Sequence, residues 1–69
     1  MDSVYKVVEL VGTSEKSWED AMLNIVAKAS QSLRDIRIAE VKTLDVKVED
    51  GKIALFRARV ELSFKYKGD

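Results

Sequence analysis

The sequence predicts an α+β subunit of order β-α-β-β, a three-stranded antiparallel sheet wrapped on one helix. Three observations predict it. Apolar residues from Trp18 to Leu33 recur at the spacing of one helical face. Residues Lys52 to Lys67 alternate between apolar and polar types, the pattern of a half-buried strand. Between these segments, Glu49-Asp50-Gly51-Lys52 carries the Asp-Gly signature of a two-residue hairpin turn.

The first strand is read over Ser3 to Val11, a run rich in β-branched and aromatic residues. Lys6 and Glu9 interrupt it, so both its faces are partly apolar. Gly12-Thr13-Ser14 is read as a break that ends the strand and offers N-cap hydroxyls. The helix follows from residue 15 or 17 to 34, with Trp18, Ala21, Met22, Ile25, Val26, Ala29 and Leu33 on its apolar stripe. Acidic Glu15, Glu19 and Asp20 lie near its start and basic Lys28 and Arg34 toward its end, as the helix dipole favours.

Ile36 to Glu49 returns to period two, but Glu40 and Lys42 break the parity that Ile36, Ile38, Leu44, Val46 and Val48 share. A bulge or bend is expected there. On the last strand, Ala54, Phe56, Ala58, Val60, Leu62, Phe64 and Tyr66 form the face that must pack on the helix. Arg57, Arg59 and Glu61, with Leu55, form the other face. That face is either solvated or available for subunit contacts or a ligand.

Composition narrows the function. Sixty-nine residues make at most one domain, taken as 1–69. Chains of about this size bury too little surface to be secure alone and use disulfides, a metal or a partner subunit. The chain has no cysteine and no histidine, so disulfides, Cys-based metal sites and the commonest general base are excluded. Association remains, as does a hard cation held by oxygen ligands. Lys and Arg total 12 and Asp and Glu total 12, so no basic excess is available for nucleic acid. No secretory signal or membrane-length apolar run is recognised, and a soluble cytoplasmic protein is expected.

No catalytic constellation stands out. The hydroxyls of Thr13 and Ser14 read as helix caps, and no histidine is present to activate any serine or threonine. The adjacent carboxylates Glu19-Asp20 and Glu49-Asp50 fall in a helix start and a hairpin turn, where structure explains them. Gly12-Thr13-Ser14 lacks the lysine and spacing of a phosphate-binding P-loop. Trp18 lies on the apolar helix stripe and is read as core. The chain is therefore expected not to be an enzyme.

Three segments carry a resemblance. Val4-Tyr5-Lys6-Val7-Val8-Glu9-Leu10-Val11-Gly12-Thr13-Ser14, Ile38-Ala39-Glu40-Val41 and Arg59-Val60-Glu61-Leu62-Ser63-Phe64 stand in the order and spacing of the dodecins, and the whole chain resembles that family. The resemblance implies a β-α-β-β subunit and a hollow homododecamer built from trimers. It implies small-ligand storage, with flavins (riboflavin or FMN) bound in pairs between subunits. In typical members a tryptophan of the second strand stacks on the flavin and a glutamine of the last strand bonds the ring edge. Here those positions hold Ile38 and Arg57. Ile38, Arg57 and Glu40 are thus expected to line a former flavin groove with weakened flavin affinity. Arg57 is expected either to meet an anionic ligand or to face Glu40 or Glu61. Members without the tryptophan are associated with calcium, so a calcium-binding or purely structural dodecamer is the alternative.

Overall fold

The computed structural model describes residues 4–66, so Ser3, the expected start of the first strand, and Lys67, the expected end of the last, lie outside the described residues. The elements are β1 (Tyr5–Ser14), α1 (Trp18–Ala29), β2 (Ile36–Glu49) and β3 (Lys52–Lys65). The sheet order is β1-β3-β2, with both pairings antiparallel. The α+β, β-α-β-β architecture with a three-stranded antiparallel sheet on one helix is as the sequence predicts, and the last strand lies at the centre.

Residues opposite each other on antiparallel strands share a sheet face. On β3, Ala58, Val60 and Leu62 are fully buried against α1, whose Ala21, Ile25 and Ala29 complete the core. Their partners on β1 are Gly12, Leu10 and Val8. The small residues Gly12, Ala21 and Ala58 let the helix approach closely. A Cβ on Gly12 would stand 2.2 Å from Ile25 Cγ1 and 3.0 Å from the Ala21 carbonyl.

Gly12 therefore does not break β1. The strand continues through Gly12, paired opposite Ala58, to Ser14, paired opposite Phe56. This corrects the expected end at Val11, because the glycine serves close packing and not a turn. The expected caps are corrected too. Ser17 caps α1, its Oγ accepting from the Asp20 N–H at 2.9 Å. Ser14 supports that cap from the strand: its Oγ donates to Asp20 Oδ2 at 2.7 Å and accepts from the Lys16 N–H at 2.9 Å.

The helix is shorter than the stripe suggests and ends at Ala29 instead of residue 34. Ser30, Gln31 and Ser32 follow it, and serine competes for backbone hydrogen bonds outside helices. The Gln31 and Ser32 N–H groups donate three residues back, to Lys28 and Ala29, which tightens the chain out of α-geometry. Leu33 still packs on the core. Asp35 takes a left-handed φ of 60° before β2 begins.

The irregular parity of β2 is resolved by register shifts between Ile36 and Ile38 and between Val41 and Thr43. Arg37 and Lys42 are the extra residues. Ile36, opposite Phe64, faces the helix side, and Ile38, opposite Ser63, faces away. The hairpin turn is as expected: Asp50 and Gly51 both have positive φ, 53° and 73°, as a type I′ turn requires.

Candidate functional site

The helix rests on β1 and β3 and covers only part of the sheet. At 12 residues it is about 18 Å long, against about 46 Å for the 14 residues of β2. Val41 and Leu44 on the helix side of β2 remain 44% and 48% exposed. Among the described residues, no element covers the opposite face of the sheet.

That outer face is ordered by charge. Asp45 on β2 stands directly opposite Arg57 on β3. Arg57 Nε–H donates to Asp45 Oδ1 at 2.7 Å and Nη2–H to Oδ2 at 2.9 Å, a bidentate pair. The hydrogen bond from Arg57 holds the Asp45 carboxyl below the usual carboxylate range, and the same bond raises Arg57. Arg59 reaches Glu9 on β1 at 3.3 Å.

Asp45 is also fixed from the helix side. Its backbone carbonyl accepts the Trp18 indole N–H at 3.0 Å. The Trp18 ring meets Phe56 edge-on, with centroids 5.2 Å apart and planes at 78°. Trp18 is thus not the buried core residue its stripe position suggests. It is 38% exposed and joins the start of α1 to the uncovered strand.

A row of carboxylates crosses the same outer face. Glu9 is opposite Glu61, and Glu61 is opposite Glu40. Glu9 turns to Arg59 and Glu40 to Lys42, while Glu61 has no ion pair among the described residues. Among those residues, no group of three carboxylates converges closely enough to hold a metal ion.

The residues expected to form one groove are brought together only in part. Ile38, 58% exposed, and Glu40 are neighbours on the outer face of β2. Their β3 partners are Ser63 and Glu61, whereas Arg57 lies six residues from Ser63 along β3, about 20 Å away. Within one chain Arg57 pairs with Asp45, which the ladder places opposite it, and not with Glu40 or Glu61. Two shallow hollows, of about 450 Å³ near Arg34 and Phe64 and about 340 Å³ beside Leu10 and Lys28, lie away from Ile38, Glu40 and Arg57.

Asp45 was not among the residues the sequence singled out. A register continued straight from the hairpin turn would set Leu44 opposite Arg57. A third shift, where β3 carries Ala54 as an extra residue, moves Asp45 into that place. The available signal was an acidic residue close to the arginine's expected partner on a strand of irregular parity.

A β-α-β-β chain with this sheet order can be compared with known proteins. The Dodecin family model matches residues 4–67. The chain belongs to the dodecin family. A calcium dodecin from Mycobacterium tuberculosis is 43% identical over 63 residues, covering 91% of this chain and 89% of the relative. The structure of dodecin from Streptomyces coelicolor superposes with a TM-score of 0.92 at 34% identity, covering 99% of this chain and 97% of that one. A calcium dodecin structure from M. tuberculosis, described as having a novel calcium-binding site, gives a TM-score of 0.83 at 42% identity, over 94% and 93% of the two chains. The resemblance read from the sequence is borne out for family and fold. Among the described residues, no helix is long and apolar enough to cross a membrane.

Proposed function

We propose that this dodecin is a non-enzymatic, cytoplasmic small-ligand binding protein that works as a hollow homododecamer built from trimers, with weak affinity for riboflavin and FMN. The separation of Ile38 and Glu40 from Arg57 carries the reading. Ile38 and Arg57 of one chain lie about 20 Å apart along the sheet, so a compact groove holding both is expected to form between copies.

The shape of the chain supports association. It measures 53 × 20 × 14 Å with a radius of gyration of 14.2 Å. A compact chain of this length is expected near 11 Å, by about 2.2·N^0.38. The uncovered apolar side chains of β2 also favour a partner surface. Weak flavin affinity follows from Ile38, which offers no π face, where an aromatic partner contributes about 1–3 kcal/mol.

Light scattering coupled to size exclusion tests the assembly. A species near twelve subunits is expected, and a stable monomer overturns it. Quenching of flavin fluorescence tests the site. Dissociation constants above the micromolar range are expected for both flavins, and sub-micromolar quenching overturns the claim of weakened affinity.

A second reading, a calcium-binding assembly, is favoured by the 43% identity to a relative named calcium dodecin. The facing carboxylates of Glu40 and Glu61 would then need further oxygen ligands from another copy to complete a calcium site. It requires a calcium-dependent rise in melting temperature that a chelator reverses. Identical melting curves with calcium and with chelator remove it.

A further inference from the structure

Asp45 and Arg57 face each other with matched geometry on a surface that the proposed function assigns to ligand. An arginine there is expected to attract phosphate or carboxylate, because its planar fork fits such groups bidentately. Here the Nε–Nη2 edge of that fork is already filled by the Asp45 carboxylate, at 2.7 and 2.9 Å. A second anion at the remaining edge would lie within a few ångströms of the first carboxylate and be repelled by it.

The filling carboxylate is held in place. Asp45 is in register with Arg57 across the ladder. Behind it, the Trp18 indole N–H fixes the Asp45 carbonyl, and Phe56 backs the Trp18 ring. The second arginine of the face is answered too, since Arg59 turns to Glu9. Further along lie Glu61 and Glu40, which repel anions.

We propose that Asp45 is a specificity-determining residue: a built-in counter-anion that closes Arg57 to external phosphate and carboxylate, so that this face prefers neutral ligands to their phosphorylated forms. The inference deepens the proposed function and rests on its assignment of the outer face to ligand.

The test compares the wild-type protein, Asp45→Asn, Asp45→Ser and the double variant Asp45→Asn/Arg57→Gln, each confirmed as folded and in the wild-type oligomeric state. Riboflavin and FMN are titrated in parallel, since they differ by one phosphate. The wild type is expected to bind FMN no more tightly than riboflavin. Each single variant is expected to shift the ratio about tenfold toward FMN, the effect of one charge-assisted hydrogen bond. The double variant is expected to lose that shift. An unchanged ratio in both single variants overturns the proposal, as does a shift that survives in the double variant.

A second arm keeps this outcome separate from the flavin reading. Inorganic phosphate is titrated while the Arg57 Nε–H resonance is followed. Asp45→Asn is expected to respond at phosphate concentrations about tenfold below those needed for the wild type. Equal responses overturn the proposal even where neither flavin binds. Absence of flavin binding with a gained phosphate response sinks the flavin reading alone.

Discussion

The two faces of β3 teach different things about the same strand. On one side, Ala58, Val60 and Leu62 are wholly buried under α1. On the other, Arg57 and Arg59 hold surface carboxylates at Asp45 and Glu9. The first face is finished by the chain itself through apolar packing. The second is finished only electrostatically, with partners that leave it open to water. Stability is thus expected to reside in the helix-covered face and recognition in the outer one.

The largest expected effect lies on the covered face. Leu62→Ala removes a fully buried side chain packed among core residues and is expected to cost about 2–5 kcal/mol. A fall in melting temperature of about 10 °C or more would register it. If Leu62→Ala melts like the wild type, the division between the faces fails.

Ile38→Trp acts on the other face. It is expected to leave stability nearly unchanged and to tighten riboflavin binding tens-fold, by about 1–3 kcal/mol of stacking. Fluorescence titration reads the gain, and unchanged affinity would place flavin recognition elsewhere. Ser17→Ala comes next, removing the cap that receives the Asp20 N–H. It is expected to cost about 1 kcal/mol in thermal or urea unfolding.

The smallest effect belongs to Asp45→Asn, because both partners of the ion pair are well solvated. Its pH dependence has a defined sign. Asp45 is held below its ordinary value in the folded chain by Arg57. The pair's contribution is therefore present above the unfolded carboxyl value, about 3.9, and is lost as pH falls through the lowered folded value. Melting temperatures of wild type and Asp45→Asn should converge as pH drops below about 4. A gap that widens on acidification contradicts the assignment.

Much of the fold was legible because local patterns and tertiary packing agree. The alternation of β3, the Asp-Gly turn and the α1 stripe each encode geometry over short range. Gly12 misled because a glycine marks a turn and a close approach with the same letter. Ser14 and Ser17 are both plausible caps, and only the path of β1 separates them. The helix end at Ala29 went unread because Leu33 keeps the stripe's spacing after the backbone has left the helix. The site was less legible. Ile38 and Arg57 were visible as departures from a family pattern, but the partner of Arg57 depends on a register shift at Ala54 that no residue type announces.

The shifts on β2 have a further consequence. With the order β1-β3-β2, one whole side of β2 lies at the sheet's edge, with no strand beside it among the described residues. A long, straight edge of this kind is a template on which chains stack without limit. Two of the irregularities place cationic residues, Arg37 and Lys42, as the extra residues along that edge. A strand sliding into place there would meet a local kink and a charge where it needs an even run of hydrogen bonds. The chain can thus leave a 14-residue strand uncovered while steering away from fibrous growth.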